Sequence, residues 1–266
     1  GPEVMAGFYI PEEPGEAEIP AMIAIANLIR EEDPLGRPVL TYLGHLDVNP
    51  IIRFRDAIDI DLLGAYPVYK GYPQAVMTGV MESGRLALWP GNKRFYAVPE
   101  TFGSILTDAQ GPLRLRNNVY QAVIGGADGI ICYTGDGFNR ELYPAFRAEL
   151  DRLHEELLGS GRLGKVALAP PVPQVVTHTV LSGPTDLIAL EMFEYTRRYG
   201  RLQYRLAVYE GELYLIAANV AAEPLMVQFS GLPTAASRAE VLFEGRNVPL
   251  SAGSFQDQFD TYAVHI

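Results

Sequence analysis

Apolar residues follow one another along this chain in two rhythms. Up to about position 158, short solid apolar runs alternate with longer stretches in which apolar positions recur every three or four residues. The first kind reads as a buried parallel strand, the second as a helix with one face packed on the sheet. On that reading strands are predicted at 7–10, 39–44, 60–67, 95–100 and 129–133, and helices at 19–30, 49–56, 73–88, 114–124 and 140–158. The first helix shows the stripe well: Ile19, Met22, Ile23, Ala26 and Ile29 share a face, and Glu16 and Glu18 sit where acids complement the helix dipole. From about Lys165 the rhythm changes. Strand-like runs at 202–208, 213–218, 225–229, 239–243 and 262–266 follow one another, several of them divided by Glu210-Gly211, Gly231-Leu-Pro233 and Glu244-Gly245 turns. Residues 187–195 fit either a helix or a strand, and Pro170-Pro171-Val-Pro173 reads as a linker.

Five βα units without a hairpin signal among them imply an α/β architecture with parallel strands, either doubly wound or part of a (β/α)8 TIM-type barrel. A dinucleotide-binding sheet needs a Gly-x-Gly-x-x-Gly turn after its first strand. The densest glycines, Gly125-Gly126-Ala-Asp-Gly129, instead lie between a helix and the strand after it. The partial barrel, spanning residues 1–160, is therefore the expectation, followed by an antiparallel β-sandwich domain over 161–266.

Composition narrows the function. The chain has 266 residues, 48% hydrophobic and 10% aromatic, ample for a packed core. Its net charge of −11 comes without a basic cluster, which argues against nucleic acid or an anionic membrane surface as partner and makes a neutral ligand the expectation. No apolar run approaches the roughly 20 residues of a membrane span, and the start does not read as a signal peptide. Cys132, the one cysteine, lies in an apolar run and reads as a small buried hydrophobe, and the four histidines have no ligand spacing. Neither a metal nor a cofactor is expected.

The strand ends carry the candidate chemistry. Phe8-Tyr-Ile-Pro-Glu12-Glu13-Pro14 and Phe95-Tyr-Ala-Val-Pro-Glu100 both stop on carboxylates beside prolines, and the carboxyl ends of parallel strands gather round one mouth. Two carboxyl groups facing across it could divide the work of glycoside hydrolysis, one protonating the leaving oxygen and one attacking or activating water. The plainer reading is that both are solvated residues where strand meets loop. Tyr66 would end a strand beside Glu100, as a donor to it or as a half-buried core tyrosine. Phe102, Tyr133 and Trp89 could stack on sugars or simply pack, and Asp136 could bind a hydroxyl or shape its turn. Asp59 and Asp61, at the start of a strand, are expected to serve stability alone.

The order of these signals resembles the later portion of clan A glycoside hydrolases. In that family the fourth strand closes on Asn-Glu-Pro or a similar acidic-Pro sequence, where Ile10-Pro-Glu12-Glu13-Pro14 stands here. Leu62-Leu-Gly-Ala-Tyr66-Pro67 resembles strand six, Phe95 to Glu100 strand seven, and Tyr120-Gln-Ala-Val-Ile-Gly-Gly-Ala-Asp-Gly-Ile-Ile the approach to strand eight. The resemblance implies a retaining glycosidase with Glu13 as acid/base and Glu100 as nucleophile, cleaving an O-glycosidic bond of an oligo- or polysaccharide, with Glu12, Tyr66, Phe102, Tyr133 and Asp136 as substrate-binding residues. Glu12 departs from the family asparagine, so the choice between Glu12 and Glu13 stays open. Strands one to three have no counterpart, which calls for a second chain, a missing N-terminal segment, or a sheet closed differently. The alternative function is a non-catalytic carbohydrate-binding or assembly subunit derived from such a barrel. Secretion or surface display is the location preferred.

Overall fold

The computed structural model describes residues 7–133, 139–160, 163–170, 172 and 176–266. Its first part repeats strand and helix: β1 (Phe8–Tyr9), α1 (Ile19–Glu32), β2 (Val39–Thr41), α2 (Val48–Phe54), β3 (Ile60–Gly64), α3 (Pro67–Lys70), α4 (Val76–Leu88), β4 (Arg94–Val98), α5 (Gly111–Gly125), β5 (Gly129–Ile130), α6 (Pro144–Leu157) and α7 (Leu163–Leu168). All neighbouring strands are parallel and stand in the order β1-β2-β3-β4-β5. A doubly wound sheet reverses its strand order at a switch point, and this one does not. The winding is that of a barrel segment. The sheet stays open among the described residues, with β1 and β5 as edges, and each edge strand is only two residues long, which limits the unpaired backbone it presents.

The two faces of the sheet carry different layers. Val39, Leu63, Phe95 and Ala97 face the helices and join the main core with Met22, Ala26, Ile51, Phe54, Val80 and Val119. Leu40, Tyr42, Ile60, Leu62, Tyr96 and Val98 form a second layer on the inner face. Alternation along each strand thus separates a helix-packed face from a concave one. Helix α4 comes close to the sheet at Gly84, where an added Cβ would stand 2.4 Å from Leu63 Cδ1 and 3.1 Å from Phe95 Cγ. Gly84→Ala is expected to destabilise by about 1–3 kcal/mol through overpacking, measured by chemical denaturation; a neutral or stabilising result would show that Leu63 has room to turn away.

The second part is antiparallel: β6 (Thr177–Ser182), β7 (Ile188–Leu190), β8 (Arg197–Tyr199), β9 (Leu202–Tyr209), β10 (Glu212–Asn219), β11 (Leu225–Ser230), β12 (Arg238–Val241), β13 (Arg246–Pro249), β14 (Ser254–Phe259) and β15 (Val264–His265). The β9–β10 turn puts Glu210 and Gly211 both at positive φ, the two-residue loop whose twist suits a hairpin. Two three-stranded sheets, β15-β10-β9 and β14-β11-β6, enclose Leu202, Leu206, Ala217, Leu225, Val227, Phe229 and Phe259 as a sandwich core. On β9 and β10, Ala207, Ile216 and Ala218 point the other way and join the main core, so one apolar layer continues from the barrel helices into the sandwich. Polar clamps cross the same boundary: Arg205 donates to the carbonyls of Val123 (3.0 Å) and Ala169 (2.5 Å), which end α5 and α7.

Several elements add to or differ from the sequence reading, among them β6, β13 and β14, for which no strand was given. Residues 188–199 form the β7–β8 hairpin, whose Phe193 packs against Gly79 and whose Arg197 reaches Asp47 at 3.3 Å. A helix, α7, lies where strands were expected to begin, and α6 starts at Pro144 rather than 140, because a proline favours the first turn.

Candidate functional site

The carboxyl end of β1 is shaped by a local irregularity. Ile10 N–H donates to Leu40 O (3.0 Å) and Glu13 N–H to Tyr42 O (2.8 Å), so three steps on one strand match two on its neighbour. Pro11, with no N–H to give, sits in this bulge, and Glu13 has φ 47°, in the left-handed region. The extra residue exposes both Glu12 and Glu13 at the strand end. Thr41 Oγ1 closes the bulge by donating to Pro11 O. The Glu13 carboxylate lies against Gly44, where an added Cβ would be 2.9 Å from Glu13 Oε1; Gly44 itself has φ 72°. The Tyr9 phenol has its pKa pushed up to about 12 by partial burial and then by the Glu12 charge.

Aromatic rings fill the mouth beside these acids. Tyr42 and Tyr66 stack with centroids 6.2 Å apart. Tyr66 meets Phe102 edge-on at 4.9 Å and Tyr133 at 6.1 Å, while Phe102 touches Tyr133 at 5.3 Å and Tyr69 at 5.4 Å. Thr101 ties two of the strand ends together by donating to Tyr133 O. Burial raises the Tyr42 and Tyr66 phenols, and after it come neighbouring groups: Glu13, Asp61 and Glu12 act on Tyr42, and Tyr42, Tyr133 and Glu12 on Tyr66.

Glu100 has a different setting. It is wholly buried, and its two oxygens accept the backbone N–H groups of Val68 (2.9 Å) and Tyr69 (2.8 Å) in α3. Tyr66 in a left-handed conformation (φ 45°) followed by Pro67 starts that short helix and turns those amides toward the end of β4. Burial pushes the Glu100 carboxyl up to about 7, against the two N–H donors and the Arg114 charge, which lower it. Glu12, Glu13, Tyr66, Phe102 and Tyr133 thus converge on one mouth. Glu100 adjoins it through α3, the helix that carries Tyr69 and follows directly on Tyr66.

Asp136 lies outside the described residues. Trp89 does not reach the mouth: it follows α4, whose chain returns to the amino end of the sheet, and an added Cβ on Gly126 would be 3.2 Å from its ring. Two residues, Tyr9 and Tyr42, join the site without having been assigned to it from the sequence. Tyr9 and Tyr42 end strands by the same rule that selected Tyr66. Asp61 is fully buried with its carboxyl pKa raised well above the usual value; Oδ1 accepts Leu43 N–H at 3.4 Å and Oδ2 has no partner. Asp59 keeps the structural role expected, taking Arg30 (2.9 Å), Lys93 (2.8 Å) and Val39 N–H (2.9 Å). Among the described residues no group of His, Cys, Asp and Glu has the arrangement of a metal site.

A barrel segment followed by a sheet domain is a fold this chain shares with solved structures of glycoside hydrolases. AmyP in complex with maltose superposes with a TM-score of 0.52 at 8% identity, over 98% of this chain and 63% of that one. The alpha-amylase from Geobacillus thermoleovorans, complexed with acarbose, gives 0.51 at 11% identity, over 93% and 56%. A GH30 endoxylanase from Clostridium papyrosolvens gives 0.50 at 12%, over 98% and 64%. The likeness at these identities is one of fold. The chain spans between about half and two thirds of the length of these structures. No family model matches the chain, and no curated protein matches it in sequence.

Proposed function

We propose that this chain belongs to a glycoside hydrolase acting on an oligo- or polysaccharide, with the sugar bound at the strand-end mouth. The observation that carries this reading is the convergence of Glu12 and Glu13 with the Tyr42, Tyr66, Phe102 and Tyr133 rings. Flat aromatic faces suit the apolar faces of sugar rings, and carboxylates suit their hydroxyls. In this reading Glu13 is the acid/base and Glu100 the nucleophile, with retention of configuration. The exposure of Glu13 supports contact with substrate. A second chain or a further segment supplying the remaining βα units would close the sheet and build the opposite wall of the cleft.

The occupation of both Glu100 oxygens by α3 favours a second reading, a non-catalytic carbohydrate-binding subunit built on the same barrel. Hydrolysis of candidate oligosaccharides, followed by new reducing ends and by the anomer first released, separates the two. Glu13→Gln is expected to lower turnover by about 10²–10⁴ on natural linkages while sparing substrates whose leaving group departs unassisted. Binding without release of reducing ends by the parent protein would leave the subunit reading in place of the enzyme.

A further inference from the structure

The open sheet ends in two unlike surfaces. At the β1 edge stands a ridge: α1 buries Met22 and Ala26, while Ala21, Ile25 and Leu28, spaced by four and three, form a second apolar row that stays exposed, Leu28 by 59% and Ile25 by 42%. Arg30 shows which way this row looks. From the opposite flank of the helix it donates to Asp56 O at 3.4 Å and Asp59 Oδ1 at 2.9 Å, in the segment that leads into β3. The rest of the sheet lies on that flank, so the row faces outward past β1, where no further strand stands among the described residues. Glu18 and Glu32 continue the spacing at its two ends, both exposed.

At the β5 edge stands a groove. α6 packs on α5 and α7, and between these helices and β5 lies a hollow of about 550 Å³ lined by Val123, Ile130, Cys132, Leu153 and Leu157. Its rim is charged. Arg140 and Arg147 share the Asp151 carboxylate at 2.8 and 2.6 Å, so two cations meet one anion toward the mouth end of α6, and His154 stands exposed about one turn further down. Asp128, on the floor, accepts Phe95 N–H at 3.2 Å. α1 and α6 are both 14 residues long, and both run away from the mouth, as a helix after a parallel strand does. Laid side by side, Glu18 of α1 meets the arginines and Glu32 comes level with His154. A ridge of one helix set into a groove beside another, with opposite charges toward both ends, fixes register as well as contact.

We infer that the partner completing the sheet is a second copy of this chain, with β5 of each copy pairing with β1 of the other and α1 of each seated in the other's groove. This rests on the need for closure stated above and names what meets it. A two-fold axis along the barrel satisfies both joins at once, uses both edges of each chain and ends the assembly at two. The closed sheet then has ten parallel strands, five from each copy. Barrel width grows with strand number, and Tyr42, Tyr66 and Tyr96 on the inner face are larger than the branched aliphatics that dominate an eight-stranded interior.

The test is sedimentation equilibrium of the intact chain over a range of micromolar concentrations, with the thiol of Cys132, half-buried in the groove, as a local reporter. A dimer is expected. Leu28→Glu, at an exposed position where folding is expected to survive and is checked by circular dichroism, should give a monomer and raise the rate of Cys132 modification several-fold. Tyr195→Glu, also exposed but in the turn between β7 and β8, should leave the dimer and the thiol rate unchanged. A parent that stays monomeric, a dimer that survives Leu28→Glu, or a mass that grows past two chains would overturn the inference. The carbohydrate reading is judged separately, by titration with oligosaccharides: a monomer that binds them sinks only the second copy, and a dimer that binds none sinks only that reading.

Discussion

Glu100→Gln is expected to lose turnover to background and also to melt several degrees below the parent protein. The first effect follows if Glu100 is the attacking carboxylate, because an amide keeps the shape and removes the nucleophile. The second follows from the hydrogen bonds. Each Glu100 oxygen accepts one backbone N–H of α3, at 2.9 Å from Val68 and 2.8 Å from Tyr69. Glutamine offers one oxygen and one NH2, so either Val68 or Tyr69 is left with a donor facing a donor in a fully buried place, at a cost of about 1–3 kcal/mol. The two readouts separate the roles. A drop in stability with turnover per folded molecule retained would make Glu100 a positioning residue for Tyr66 and Tyr69 and would remove it from the chemistry.

The same residue gives a pH signature with a definite sign. Its carboxyl is pushed from 4.5 in the unfolded chain up to about 7 in the folded one, so the folded state holds the proton more tightly. The stabilisation from this group is complete below about pH 4.5, and it declines as pH rises to about 7. Urea midpoints measured across that interval should fall in the parent relative to Glu100→Gln, and the difference between the two curves should level off above pH 7. A difference that is flat from pH 4.5 to 7, or that grows in the opposite sense, would mean the two N–H donors outweigh burial and keep the group ionised throughout.

Much of the architecture was legible because parallel strands buried on both faces are solid apolar runs, and β3, buried along its whole length, is the clearest of them. The strand ends were legible because prolines at 11, 14, 67 and 99 stop the pattern beside polar groups. What holds those groups was not. The amides that grip Glu100 come from residues 31 and 32 positions earlier, and their direction depends on Tyr66 adopting a left-handed conformation, which a tyrosine seldom does. The bulge that exposes Glu12 along with Glu13 depends on register with β2, a pairing absent from local sequence. Trp89 is a different case. A helix that follows a parallel strand runs back to the amino end, so a residue just past α4 belongs at the end of the sheet away from the mouth, and the order of elements already implied it. Asp61 was read as sitting at the base of its strand. The structure keeps it there, one step into β3 and on the same face as Phe95, with which it is paired.

The join between barrel and sandwich sets the other large effect. Asn117 is fully buried on α5, and its Nδ2 donates to Asn219 O at 2.8 Å and Tyr262 O at 3.0 Å, while its Oδ1 accepts from Gln121 at 2.7 Å. Gln121 in turn donates to Gln74 O and accepts from Thr78, so the same chain of bonds reaches the α4 side of the barrel. Asn219 carries it outward, its own amide spanning Glu223 O (2.8 Å) and Asp260 O (2.9 Å). Asn117→Ala would strand two carbonyls and one amide donor in a site too dry to replace them, and the expected loss is about 3 kcal/mol or more. Asn117→Asp should be worse, since its carboxylate would face two carbonyl oxygens with no proton to give. Because Ala207, Ile216 and Ala218 of the sandwich share the main core with α5, the parent protein should unfold in one transition, and the alanine variant in one transition at lower denaturant. A variant that loses under about 0.5 kcal/mol, the scale of ordinary surface substitutions, would show that water enters the join. Two separated transitions in the parent would show that neither the polar chain nor the shared apolar layer couples the halves.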